Sequence, residues 1–575
     1  MPTPARWLLP ESDGRAADLA SDLGIQPPAA RILWNRGFRD PDAARRFLRP
    51  SIEDMHDPFL LAGMESAVER LRHAIAAREK ILLYGDYDVD GTTSVVILKT
   101  AVERAGGIAG FHVPHRLNDG YGMRPEIIEQ AAATGVSLVI SVDTGIRAAE
   151  VVRHASALGI DCIITDHHLP ESELPPALAV LNPNRPDCTY PEKNLCGAGV
   201  TFKLIQALFR SLDWPADRAA RLCDSLMKLV AIATVADVVP LLGENRVIVK
   251  HGLAGLRSMR NPGLRALFAV SGFKDGQIPS AGQIAFRIGP RLNAAGRMAD
   301  AGDAIELLLT ADEQRARYLA EQLHARNAER RDEQDRMVEA ILRQCESEPA
   351  GNQAALVFFG AEWHRGVVGI VASRLVEHFH RPVFVLGEKD GKAQGSGRTI
   401  EGFHLLAALE SMPDLFERFG GHRQAAGVTL DRDRVGEFRA RLAAYAAQRL
   451  GPEDFRPRIA VDAEVDFSEL NNDAVAEILA LAPFGCANPT PRLLVRRAEI
   501  DGEPAIWKEK HLRLLLRQNG RSIPVKGWGM ADRAGELWER PRIDAILSLE
   551  QDSYSRDGWS AVLHDLRAAA ASVAV

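Results

Sequence analysis

The sequence predicts an α/β protein of several domains: a parallel-sheet domain, a second α/β domain joined to it by a long helix, and a small C-terminal β-barrel. Three observations predict this. Between residues 81 and 166 short strands that are apolar throughout alternate with helical stretches, the pattern of a parallel sheet covered on both faces. From Asp303 to about Glu346 the chain is charged, helix-forming and poor in glycine and proline, and so polar a helix is more often a bridge than a core element. Beyond Pro457 the chain breaks into short β-like runs, RLLVRRAEI, HLRLLLR and IDAILSLEQ, with turns at Asp501-Gly502 and Asn519-Gly520, which suits a small barrel.

Taken in order, residues 1–60 read as a helical cap punctuated by Pro27, Pro28, Pro41, Pro50 and Pro58. Residues 61–302 form the first α/β domain. Its helix from Met64 to Ala77 leads into the strand Ile81, Leu82, Leu83; further strands are expected at 108–113, in SLVISVDTG and in DCIITDHH. Residues 303–348 form the connecting helix, with apolar spacing at Leu319, Leu323, Met337 and Ile341; a surface helix of one domain is the alternative. Residues 349–455, framed by AALVFFG and RPVFVLG, form the second α/β domain, and residues 456–575 the barrel.

Composition bounds the class. A chain of 575 residues with 46% hydrophobic and 26% charged residues is an ordinary globular protein with room for several cores. A formal net charge of −7 disfavours indiscriminate binding to nucleic acid, yet it leaves room for a local basic groove. The six cysteines form no C-x-x-C pair, which favours reduced thiols and disfavours zinc. The N-terminus lacks the apolar core of a signal peptide and no segment has the length of a membrane span. A cytoplasmic location, away from any membrane, is expected.

The chemistry begins in GDYDVDG, where Asp86, Asp88 and Asp90 follow an apolar strand. Carboxylates at the carboxyl edge of such a sheet sit where open α/β sheets place their sites, and three of them repel one another unless a cation neutralises them. A solvated acidic turn or a calcium loop is the competing reading; the latter fails because its twelfth position is Ile97, not a bidentate glutamate. Asp143 in SVDTG, Asp166-His167-His168 after CIIT and Asp237 in ATVADVVP repeat the placement. Taken singly, Asp143 reads equally as a helix N-cap, His168 as a core histidine and Asp237 as a turn residue. Taken together, carboxylates with an imidazole suit Mn²⁺ or Mg²⁺, and a bridging carboxylate such as Asp143 suits two ions engaged in displacement at phosphorus. Hydrolysis of a phosphate ester is the expected reaction.

The motifs DYDVDG, VDTG, TDHH and VADVVP, in this order, resemble those of the DHH phosphoesterase superfamily, and GGHRQAAG resembles the signature of its DHHA1-type partner domain. The N-terminal cap, IGPRLNAAGR, WHRGVVGIVASR, SGRT and the trailing β domain extend the resemblance over essentially the whole chain to the RecJ family of single-strand-specific DNA exonucleases. That resemblance implies a DHH domain, a long helix, a DHHA1-type domain and an OB-fold. It implies metal-dependent 5′→3′ hydrolysis of single-stranded DNA to 5′-mononucleotides by two ions, Mn²⁺ or Mg²⁺, in recombination and repair. Carried over by motif, Asp88, Asp90, Asp143, His167 and Asp237 are metal ligands, with Asp86 in or beside the first shell, while Asp166 and His168 orient ligands and touch the scissile phosphate. A monomer is expected, with a single-strand binding protein and a helicase as partners.

A 5′-end nuclease also needs a phosphate pocket, and arginine forks suit it. By resemblance Arg116, Ser396, Gly397 and Arg398 recognise the 5′-phosphate and Tyr121 stacks on a base; ordinary interdomain ion pairs are the alternative for the two arginines. Arg291, Asn293, Gly296, Arg297 and His422 are further DNA-facing candidates, as are Arg365, Arg374 and Arg423. In the barrel, residues 491–541 carry eleven Lys or Arg against seven Asp or Glu, with Trp507 and Trp528 among them. Cations interleaved with aromatics serve single-strand binding, although for either tryptophan alone a place in the core is the commoner fate. The competing functions are a phosphodiesterase for short oligonucleotides or cyclic dinucleotides, and a non-catalytic single-strand-binding scaffold.

Overall fold

Five parallel strands build the first sheet, in the spatial order Ile108–His112, Lys80–Tyr84, Val136–Val142, Asp161–Thr165, Ala179–Leu181. They are seen in a computed structural model that describes residues 4–11, 14–116, 119–120, 122–347, 353–538, 542–552 and 555–569. The central strands are buried over most of their length, and fully toward their carboxyl ends, because helices cover both faces, which is why they read as apolar runs. One face packs the helices Pro125–Ala133 and Ala149–Ala157 over Val139, Cys162 and Ile164. The chain leaves Lys80–Tyr84 toward one edge and then returns to place Val136–Val142 on the other side of it. The order therefore reverses between these two strands, the position where open α/β sheets open a crevice at their carboxyl ends. Asp86 follows the first of them and Asp143 the second.

By internal packing the chain falls into two units. One comprises residues 56–239 and 251–457, and the other the described parts of 1–55, 240–250 and 458–575. Within the first unit a 35-residue helix, Glu313–Ser347, connects the parallel-sheet domain to the second α/β domain; a separate short helix, Gly302–Leu309, precedes it. Its sparse apolar residues Leu319, Leu323, Met337 and Ile341 are all buried. The second domain holds a five-stranded mixed sheet in the order Arg418–Gly421, Ala425–Asp431, Lys392–Arg398, Val383–Lys389, Leu356–Phe359, antiparallel except for the last pair. The glycines of GSGRT are dictated by packing: a Cβ on Gly395 would lie 2.0 Å from the Val385 carbonyl oxygen, and one on Gly397 2.5 Å from the Phe384 ring.

The second unit is a closed barrel of five strands, Leu493–Ile500, His511–Gln518, Arg521–Gly527, Arg542–Gln551 and Trp559–Ala568. The first strand pairs with both the second and the fourth, and the third pairs with the fifth in parallel, the OB topology. The N-terminal helices join this unit through polar contacts, such as Arg36 Nε to Asp462 Oδ1 at 2.7 Å and Arg31 to Glu469 at 2.6 Å. Arg246, from the inserted segment 240–250, is fully buried there: it donates to the carbonyls of Phe47 (2.7 Å), Leu481 (2.9 Å) and Ala482 (3.0 Å) and lies 3.7 Å over the Phe47 ring. Among the described residues no helix is long and apolar enough to cross a membrane.

Candidate metal centre

The acidic loop is shaped by its glycines. Asp88 caps the helix Val89–Arg104, its Oδ1 accepting from the Gly91 amide at 3.1 Å, and Gly91 folds back so tightly that a Cβ there would lie 2.5 Å from the Asp86 carbonyl oxygen. Asp90 points the other way, into the N-terminus of the helix Gly197–Ser211. Its Oδ2 accepts from the Gly197 amide at 2.6 Å and its Oδ1 from Ala198 at 2.8 Å, where the helix dipole favours an anion. Gly197 also admits Asp143, since a Cβ on it would lie 2.6 Å from the Asp143 Cβ. Asp143 itself adopts a left-handed backbone, φ +60°, a conformation aspartate tolerates better than most residues.

His167 Nε2 lies 3.2 Å from Asp143 Oδ1, 3.8 Å from Asp237 Oδ2 and 3.9 Å from Asp90 Oδ2. Asp143, His167 and His168 form one group of ligand atoms within 4.8 Å of one another, Asp90, His167 and Asp237 a second, and Asp86, Asp88 and Asp143 a third. Asp143 belongs to two of the three. Burial, reinforced by Asp90 and Asp88, pushes the Asp237 carboxyl up to about 9. Burial and the neighbouring aspartates likewise hold Asp86 and Asp143 well above the usual carboxylate range, and burial lowers His167, so its ring is neutral and able to ligate. Asp86 Oδ1 and Asp237 Oδ2 are buried without a hydrogen-bond partner among the described residues. Anionic oxygens crowded and left without donors fit divalent cations.

Asp166 is different. It is fully buried, and both oxygens are in use: Oδ2 accepts from the Ile146 amide (2.9 Å), and Oδ1 from the amides of His167 (2.7 Å) and His168 (3.1 Å) and lies 2.7 Å from His168 Nδ1. Burial raises its carboxyl, but the His168 bond and these amides outweigh burial and leave it below the ordinary value. Two asparagines beyond the next strand complete the turn, Asn184 donating to the His167 carbonyl (2.7 Å) and Asn182 to that of His168 (2.8 Å).

Beside the carboxylates lies a cluster of arginines. Arg116 stacks 4.6 Å over the Tyr87 ring. Burial, together with Arg116, Arg330 and Arg398, lowers Arg297 to about 9; Arg398 is lowered by burial and by Arg116. Mutually repelling guanidinium groups beside a helix N-terminus suit a phosphate. The helix is Val368–Phe379, whose Gly369 lies close enough that a Cβ would be 3.2 Å from Arg398 Nη2 and 3.6 Å from Ser396 Oγ. Gly397 packs on the Phe384 ring between them. The half-exposed His422 is lowered by burial, Arg147 and His168, and with His168 it lines a cavity of about 610 Å³.

Two of the DNA-facing candidates also make contacts within the protein. The Asn293 side-chain Oδ1 accepts from the Val89 amide at 3.2 Å, and the buried Arg291 contacts His324 Nδ1 on the connecting helix at 3.2 Å. Tyr121 lies outside the described residues. Sequence reasoning passed over Gly197, Ala198, Asn182, Asn184 and Arg330, while Gly296, a cleft-facing candidate, serves as a close-packing point. A Cβ on Gly296 would lie 2.5 Å from the Tyr87 carbonyl oxygen. The signals available were the small-residue run CGAG before a helix and the N-x-N following an apolar strand.

In the barrel, Trp507 and Trp528 are 47% and 46% exposed and so lie outside the core. Their rings and that of His511 stand 4.9 to 5.7 Å apart, and Lys508 lies 4.9 Å over Trp507.

Comparison with known proteins gives three domain matches: the DHH family N-terminal domain over residues 80–234, the DHHA1 domain over 351–448 and the RecJ OB domain over 461–558. A relative from Dickeya dadantii, named single-stranded-DNA-specific exonuclease RecJ, is 40% identical over 85% of this chain and 86% of its own. One from Bacillus subtilis with the same name is 39% identical over 93% of this chain, which spans 66% of that longer protein. The crystal structure of Thermus thermophilus RecJ with Mn²⁺ matches 98% of this chain and 80% of its own at a TM-score of 0.82 and 31% identity, and the Mg²⁺ complex gives 0.77 and 30%.

Proposed function

The chain belongs to the RecJ family of single-stranded-DNA-specific exonucleases, and on that footing we propose that it hydrolyses single-stranded DNA from the 5′ end to 5′-mononucleotides at the carboxylate centre. The observation that carries this reading is the shared position of Asp143, whose oxygens group with Asp86 and Asp88 on one side and with His167 on the other. Asp86, Asp88, Asp90, Asp143, His167 and Asp237 would hold two divalent cations, Mn²⁺ or Mg²⁺. When bound, such a pair neutralises the phosphate and acidifies the attacking water.

The chain's own residues do the rest. The helix N-terminus at Gly197 and Ala198 fixes Asp90, leaving the remaining lone pairs of its oxygens facing the centre. Asp166 holds the His168 ring by Nδ1, which orients the ring to meet a phosphate oxygen. Burial lowers His168, but the bond to Asp166 more than offsets it, and the ring stays protonated to higher pH as a cationic donor. Arg116, Arg297 and Arg398 with Ser396 receive the terminal 5′-phosphate, which sets polarity by admitting only an end. The exposed Trp507 and Trp528 rings, with the partly buried His511 and with Lys508, offer bases a stacking surface on the barrel. Family membership alone supports the wider setting: a cytoplasmic monomer working with a helicase and a single-strand binding protein in recombination and repair.

A metal-dependent digest of end-labelled single strands and duplexes tests the reading. Label should leave a 5′-labelled single strand first, as mononucleotide; release from the 3′ end, or equal attack on duplex, would overturn it.

A further inference from the structure

Phe286 and Val238 are the two most exposed large apolar side chains among the described residues, 76% and 66%. They come from separate segments that pack on each other. Val238 follows Asp237 at the end of the helix Ala216–Ala236, and Phe286 lies on a π-helical turn, Ile284–Ile288, that enters the helix Gly289–Met298. The two segments meet where a Cβ on Gly289 would lie 3.5 Å from that of Ala236.

Both segments are tied to the metal centre. Asp237 is one residue from Val238, and the helix Gly289–Met298 brings Gly296 against the Tyr87 carbonyl in the acidic loop. Val238 has a left-handed backbone, φ +62°. That conformation after a helix end belongs to glycine or asparagine, and a β-branched residue there is a true outlier. The chain thus accepts strain to present an apolar side chain to water beside its candidate ligand. A π-turn with an aromatic projecting from it is a second irregularity, at the start of the helix Gly289–Met298 that packs on Ala236, and such turns gather at functional sites. The Arg287 side chain anchors the turn, its Nε donating to the Ser271 carbonyl at 3.0 Å and its guanidinium lying 4.2 Å over Phe273, so the projection of Phe286 is held.

We propose that Phe286, supported by Val238, stacks on a nucleobase of the strand whose phosphodiester lies in the metal centre, and so positions that diester for hydrolysis. The occupant is a base because Val238 follows a candidate ligand of the phosphate-cleaving centre and the Phe286 segment packs on the same helix end, so that an exposed ring there offers a π-face to a strand held in the centre. An unpaired, unstacked base is required, so the contact also selects single strands. This inference rests on the exonuclease reading and is tested separately from it.

The test pairs Phe286→Ala with an abasic site scanned through the first four positions of a 5′-phosphorylated oligonucleotide. At one position the abasic strand raises KM for the wild type about tenfold. Phe286→Ala raises KM by a similar factor on the intact strand and adds nothing on that abasic strand, kcat changes far less, and Phe286→Trp restores KM. Val238→Asn, which suits the left-handed backbone, shifts KM in the same direction. Additive losses, or a loss confined to kcat, would overturn the proposal. Fluorescence of 2-aminopurine at the same positions gives a readout without turnover: binding quenches it in the wild type and less in Phe286→Ala. A wild-type protein that quenches without cleaving would sink the exonuclease reading and leave this one standing; equal quenching in both proteins sinks this one alone.

Discussion

Gly197 presses on Asp143 so closely that a Cβ on the glycine would lie 2.6 Å from the Cβ of the aspartate and 2.7 Å from its Oδ1. Gly197→Ala should therefore push Asp143 out of both ligand groups it joins. Because displacements near 1 Å cost about a hundredfold in rate, nucleotide release should fall by about that factor and Mn²⁺ affinity should fall with it, read by steady-state kinetics and calorimetric titration. Wild-type Mn²⁺ affinity in this variant would show that the contact is slack.

Asp143→Ala should abolish nucleotide release while leaving single-strand binding, followed by fluorescence anisotropy, largely intact. The buried aspartates raise one another's pKa, so removing one relieves repulsion and the metal-free variant should melt above the metal-free wild type. Mn²⁺ should raise the melting temperature of the wild type and have far less effect on the variant. Undiminished turnover would remove Asp143 from the centre.

Asp166→Asn keeps size but loses the negative charge and one of the two oxygens that accept from the amides of Ile146, His167 and His168 and hold the His168 ring. Because Asp166 acts through His167 and His168, the expected result is a loss of about 10- to 100-fold in metal affinity or activity, short of abolition. A complete loss, matching that of Asp143→Ala, would mean that Asp166 ligates directly.

Arg398→Ala should lower kcat/KM on 5′-phosphorylated strands by about ten- to a hundredfold, the worth of a charged hydrogen bond, and much less on 5′-hydroxyl strands. Arg116→Ala should follow the same pattern. Equal losses on both strands would place these arginines outside the end pocket.

Arg246→Ala should destabilise the barrel unit by about 3 kcal/mol or more, because it leaves the carbonyls of Phe47, Leu481 and Ala482 without their donor in a buried site. Urea unfolding followed by the barrel's tryptophan fluorescence reads this directly. A change below about 0.5 kcal/mol would mean that water replaces the guanidinium.

The architecture was legible because its signals are local. Strands buried on both faces must be apolar throughout, a 35-residue charged helix announces itself by composition, and turn dipeptides separate the barrel strands. The tryptophans of the barrel show where local reasoning weakens. Large apolar rings favour the core, yet Trp507 and Trp528 stand at its surface, because the closed barrel is already filled by residues such as Leu512, Leu514, Val525 and Leu547.

What the sequence determined by itself is the set of donors: carboxylates and imidazoles at the ends of apolar strands, in an order that belongs to one family. Local chemistry suffices for that, since residue type and strand end are read from neighbours along the chain. What only the tertiary structure decided is how each oxygen is used. Asp90 spends both oxygens on the amides of a helix more than a hundred residues away, Asp166 has none left over, and Asp86 keeps a buried Oδ1 with no donor among the described residues. That allocation depends on which distant backbone groups arrive within hydrogen-bonding distance, and packing sets it: close approaches at Gly91, Gly197 and Gly296, where no side chain fits.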